Sequence, residues 1–130
     1  LNENGTETVI FFSFENEWIC DLESFYHQKP TTYNIKAIED REIVVISKMQ
    51  KAYLFAVIPK LIKFHVLMIE RANVAIQQRL LDVLQKTSKQ RYLDFKERYP
   101  QKVSSINNKN LSSYLGVSHE FLSKIKRTIS

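Results

Sequence analysis

The stretch Asn110-Leu-Ser-Ser-Tyr-Leu-Gly-Val-Ser-His-Glu-Phe-Leu-Ser-Lys-Ile-Lys-Arg-Thr-Ile129 carries the sharpest local signal in the chain. A short helix is predicted to end at Leu115, Gly116 supplies a left-handed turn, and Ser118 caps a second helix. Leu111, Leu115, Val117, Leu122, Ile125 and Ile129 then point into one small core, because two helices joined by a three-residue turn share their inner faces. This is a helix-turn-helix pattern. On the second helix His119, Glu120, Ser123, Lys124 and Arg127 lie away from that core, where an inserted helix would face the major groove of duplex DNA. A helical hairpin that merely packs has the same apolar spacing. The outer face, read as free of large apolar residues, favours DNA.

Charge points to the same end of the chain. Residues 1–45 carry nine acids and three bases, net −6, whereas residues 46–130 carry sixteen bases and five acids, net +11. A polyanion would therefore meet the C-terminal part, although basic surfaces are also common on ordinary solvated helices. Only two glycines and three prolines stand against eight Phe, six Tyr and one Trp in 130 residues, which excludes collagen-like and low-complexity chains. The single cysteine, Cys20, rules out an internal disulfide and a Cys-based zinc module and fits a reducing compartment. No apolar run approaches the ~18 residues of a membrane span and no secretion signal opens the sequence, so a cytoplasmic location with no membrane partner is expected. The chain opens on Leu1 directly before a turn-like Asn4-Gly5, which predicts a start inside a larger domain.

Periodicity changes near the charge boundary. Thr8–Phe14, Trp18-Ile19, Thr32–Ile38 and Glu42–Ile46 are rich in β-branched and aromatic residues and read as strands, with Asn4-Gly5, His27-Gln28-Lys29-Pro30 and Glu39-Asp40 as connections. Four short strands leave an open edge, so this β unit needs further strands, a helix or a partner to cover it. Ser47 is predicted to cap a short helix through about Phe55, and Pro59 to open a long one through Leu61–Gln85. There Ile62, Ile69, Ile76 and Val83 recur every seven residues beside Leu61, Met68 and Ala75. The stripe fits a two-helix dimer seam or packing on the chain's own strands. Leu81, Leu84, Tyr92, Phe95 and Tyr99 continue at helical spacing, and the pattern leaves open whether 60–99 is one bent helix or two.

The order of β unit, connecting helix, long helix and C-terminal helix-turn-helix resembles the cAMP receptor protein/FNR family of bacterial transcription regulators. The local matches are Ser113–Ile125 and, less sharply, Asn16–Ser47, which looks like the last strands and phosphate-binding cassette of that family's cyclic-nucleotide-binding jelly roll. The resemblance implies an α+β fold: a partial antiparallel β jelly roll over 1–58, a dimerisation helix over 59–85 and a DNA-binding domain over 86–130. The opening strands of the jelly roll would be absent. The effector positions would be Asp21, Leu22, Thr31 and Thr32, but they depart from the family pattern. Cys20-Asp21-Leu22 stands where Gly-Glu-Leu is usual, and Thr31-Thr32 where an Arg-Ser or Arg-Thr pair holds the cyclic phosphate. Losing that charge-assisted pair costs roughly 1.5–3 kcal/mol, so cAMP is not expected as an effector. Lys29 and Lys36, the nearby cations, read as solvated.

Enzyme patterns are missing. There is no P-loop, dinucleotide glycine motif or HExxH pair, and His27, His65 and His119 lack metal-ligand spacing. Cys20 and His27 could be imagined as nucleophile and base, but the resemblance places Cys20 at a tight turn, and a buried small residue is the simpler reading. The expectation is a homodimeric regulator without a cofactor or metal, reading a near-palindromic operator with half-sites about one turn, ~34 Å, apart. By the same resemblance, His119, Glu120 and Lys124 would face base edges, Ser118, Ser123 and Arg127 would hold phosphates, and RNA polymerase would be a partner. The family's wing after the recognition helix has no counterpart before Ser130. The alternative is a ligand-sensing or protein-interaction module whose helix-turn-helix does not read DNA.

Overall fold

Capping side chains set the helix boundaries. The structure, a computed structural model, describes residues 7–129. Among them the chain forms α1 (Leu22–His27), α2 (Lys48–Val57), α3 (Lys60–Gln85), α4 (Ser88–Arg98), α5 (Asn108–Leu115) and α6 (His119–Ile129). Asp21 opens α1 by accepting from the Ser24 N–H, and Gln28, at φ 53°, closes it in the left-handed region. Ser47 with Gln50 and Thr87 with Gln90 form capping boxes at α2 and α4, while Asn107 caps α5. Lys86 and Thr87 divide residues 60–99 into two helices. The chain forms two compact units: residues 7–12 with 75–129, and residues 13–74.

The expected α+β fold is overturned, because the described residues contain no strand. With it go the jelly roll over 1–58 and its cyclic-nucleotide-binding-like character. The segments read as strands have strand-like composition but no ladder. A strand satisfies its backbone through neighbours, and short isolated ones do not hold in water. Ile43, Val44 and Val45 are exposed, Val44 at 84%, with no sheet face beneath them. Thr31 turns the chain instead, its Oγ1 accepting the Tyr33 N–H at 3.0 Å. The Asn4-Gly5 turn lies outside the described residues.

In the first unit, residues 7–12 belong to no helix or strand, and side chains replace the missing ladder. The Val9 N–H donates to Ser113 Oγ at 2.9 Å, and the Arg79 guanidinium donates to the Val9 and Ile10 carbonyls. The same guanidinium donates to the Tyr114 carbonyl at 2.9 Å and lies 4.3 Å from the Tyr114 ring centroid. Phe12 packs beside Tyr114, 4.9 Å between centroids, in a cluster with Phe95 and Tyr99.

That unit contains every buried apolar side chain among the described residues: Tyr92, Phe95, Ile106, Leu111, Leu115, Leu122 and Ile125. Leu111 and Leu122 are fully enclosed. Ile129 closes α6, and its side chain lies outside the described part. Arg91 ties three chain segments together. Its Nε donates to the Leu115 carbonyl at 2.9 Å, and its Nη1 donates to the Lys86 carbonyl at 2.8 Å. One cation thus neutralises carbonyls at the C-terminal ends of α3 and α5, where the helix dipoles are negative. Lys86 closes the same corner on Asp82 at 2.8 Å and Asp94 at 2.5 Å.

The second unit has no buried residue. Lys51 of α2 lies over the rings of Phe25, Tyr26 and Phe55 at 5.1–5.4 Å, and Lys48 donates to the Tyr26 carbonyl at 2.8 Å. The His65 ring of α3 lies tilted against that of Phe55, 5.3 Å between centroids.

Candidate nucleic-acid interface

The turn between α5 and α6 is built from backbone bonds. The Gly116 N–H donates to the Ser113 carbonyl at 3.3 Å, and the Val117 N–H to the Ser112 carbonyl at 3.0 Å, the paired bonds of a Schellman motif. Gly116 sits at φ 66°, and a Cβ there would meet nothing within 4 Å. Glycine is needed for the backbone conformation, not for space. Beyond the turn, the Ser118 hydroxyl accepts the Phe121 N–H at 3.1 Å and starts α6.

α6 is fixed by its inner face and open on its outer one. Leu122 and Ile125 face inward, while Glu120, Lys124 and Arg127 are exposed, with Ser123 half-buried between them and exposed His119 at the start. Positions 120, 123, 124 and 127 share one helical face. The six residues expected to touch DNA thus come together on α6 and its cap. Ser118 differs from the rest, because its hydroxyl is engaged in capping. The Glu120 carboxyl is held below its ordinary range, first by its own backbone N–H and then by the Ser118 hydroxyl. It therefore stays an acceptor at neutral pH.

The structure separates cations that look equivalent in sequence. Lys126 is half-buried and donates to Asn108 Oδ1 at 2.6 Å, which joins α6 to α5, and burial lowers its pKa. Arg79 and Arg91 are occupied by carbonyls of their own unit. Lys124 and Arg127 remain on the exposed face. Over residues 75–130 there are eleven bases and four acids, net +7.

Phe121 is the residue that the sequence reading missed. Its ring is 43% exposed, against 0% for Leu122, so the outer side of α6 does carry a large apolar group. The signal was the wheel itself: at ~100° per residue, position 121 lies about 60° from Lys124 and about 40° from Ile125, on the border between the two faces.

The expected effector positions are also neighbours. Thr31 Oγ1 donates to Asp21 Oδ2 at 2.8 Å while Asp21 Oδ1 accepts the Ser24 N–H at 3.2 Å. The Thr31 hydrogen bond is the main reason that the Asp21 carboxyl is held low. Leu22 and Thr32 are exposed beside them. Both oxygens of Asp21 thus already have donors, in a cap and a loop staple. Cys20 is exposed, contrary to the expected buried position at a tight turn. Among the described residues, no three His, Cys, Asp or Glu side chains gather as metal ligands, and no helix is long and apolar enough to cross a membrane.

The expected seam residues Ile62, Ile69, Ile76 and Val83 are between 39% and 47% exposed, and α3 buries none of its side chains. With no strand among the described residues, the stripe has no sheet of its own to pack against. No family model matches the chain, and no curated protein and no solved structure matches it either.

Proposed function

We propose that the chain is a DNA-binding transcriptional regulator that acts as a dimer and reads duplex DNA with α6. The observation that carries this reading is the two-sided character of α6. Its apolar face is anchored on α5, and the opposite edge offers acceptor, hydroxyl and cationic groups to solvent at one-turn spacing. That edge supplies what a major groove requires. Lys124 donates to guanine, the ionised Glu120 accepts from a cytosine amino group, and His119 lies beside them. Arg127 and Ser123 hold phosphates. The uncovered stripe of α3 supports pairing of two copies, which would set the spacing of two α6 helices.

The test is selection of bound sites from random duplex DNA with the full chain. A dyad-symmetric motif, bound with an affinity that falls steeply as salt rises, is the expected result, because each phosphate contact releases counterions. Ile69→Asp places an unpaired charge in the seam and should halve the mass seen by light scattering. Recovery of random sequence with no salt dependence sinks the reading.

A second reading is favoured by one observation, the bare apolar residues of residues 13–74, including Trp18, Ile43, Val44 and Met49. An exposed apolar set of that kind suits a protein-contact module. Such a module would bind a partner at high salt and leave duplex DNA untouched.

A further inference from the structure

Within α5 and α6 the described aliphatic side chains of Leu111, Leu115, Leu122 and Ile125 are buried, and Tyr114 is half-buried in the aromatic cluster. Phe121 departs from this pattern. Its backbone is fixed in the first turn of α6 by Ser118, so the exposed ring projects from the edge of α6 that carries Lys124. A phenyl ring neither donates nor accepts a hydrogen bond, and its exposed surface gains only by leaving water. The floor of the major groove presents hydrogen-bonding edges from every base pair but one kind of apolar group, the 5-methyl of thymine.

We infer that Phe121 is a specificity-determining residue of this interface, reading a thymine 5-methyl beside the base pair contacted through Lys124. The inference rests on the DNA reading proposed above and gives it a chemical signature that neither lysine nor glutamate can produce. Charge complementarity selects this occupant. The ring is carried by a helix with Lys124, Lys126 and Arg127 against one acid, Glu120, within residues 75–130 of net charge +7. A polyanion surface is therefore drawn to it, whereas a neutral apolar protein groove would have to desolvate those cations without compensation.

Deoxyuridine differs from thymidine only in lacking that methyl, so it isolates the contact. The full chain is titrated with its selected duplex and with duplexes in which each thymine is replaced in turn by deoxyuridine. At one position in each half-site the replacement should weaken binding about three- to fivefold, the worth of one buried methyl, and roughly tenfold or more when made in both half-sites. Phe121→Ala and Phe121→Gln, each checked for an unchanged helical spectrum, should bind the thymine and uracil duplexes equally. A wild-type chain indifferent to every replacement, or variants that keep the same thymine preference, overturns the assignment of Phe121 while the DNA reading stands. Failure to bind any duplex at low salt overturns both.

Discussion

Residues 13–74 carry more apolar side chains than residues 75–129 with the strap 7–12, yet only the latter set encloses any of them. In the first unit the ends of α3 and α5 are answered by specific groups: Arg91 at Leu115 and Lys86, Lys86 at Asp82 and Asp94, Gly116 at the close of α5. The second unit holds its helices by caps and a lysine over three rings, and its β-branched runs lie bare. The difference shows that apolar content does not make a core. Burial needs elements that present a face to one another, and helices obtain this locally whereas strands do not.

Removing side-chain volume tests the contrast most severely. Leu111→Ala should cost about 3 kcal/mol in chemical denaturation of the full chain, since it opens a cavity in enclosed packing, while Val44→Ala should cost under about 0.5 kcal/mol. Equal losses would mean that residues 13–74 possess a core after all. Next comes Arg91→Ala, which strips donors from two helix ends and should cost about 2 kcal/mol. Hydrogen exchange should then rise in α4 and α5 and leave α1 and α2 unchanged. Gly116→Ala should cost about 1–2 kcal/mol by backbone strain alone, and Gly116→Asn less, because no neighbour crowds a Cβ there. A larger loss in melting experiments would show that the turn is tighter than its open surroundings indicate.

The smallest effect belongs to the second unit. Burial, and then the positive charge of Lys51, lower the pKa of His65, and its Nε2 has no hydrogen-bond partner. The folded chain therefore resists the proton that the unfolded chain takes up near its ordinary value of about 6.5. Stability is complete above that pH and declines as pH falls from there toward the depressed folded value. His65→Gln should flatten the slope in that window, measured by exchange in α2 and α3.

What the sequence made legible is what local chemistry decides. Ser47, Pro59 and Gly116 each act through groups within a few positions, and α2, α3 and the α5–α6 turn lie where those residues put them. The Thr87-Ser-Lys-Gln90 capping box is equally local and answers the open question over 60–99, which apolar spacing alone does not. The β reading failed for the opposite reason. Val9 and Ile10 have strand preferences, but what receives their backbone groups is Arg79 and Ser113, up to 104 positions away, and no propensity carries that information. At the candidate interface the outward residues followed from the 3.6-residue period, whereas a border position such as Phe121 is decided by packing. The cations Arg79, Arg91 and Lys126 look like the rest in a charge count, and only their carbonyl and amide partners set them apart.

The bond from Val9 to Ser113 also orders events during synthesis. The strap leaves the ribosome about a hundred residues ahead of its seat on α5. At ~5–20 residues per second, this early segment must wait several seconds for the surface that holds it. All of residues 13–74 are made in between, so the unit that binds the strap can complete itself only once Ser113 has left the ribosome.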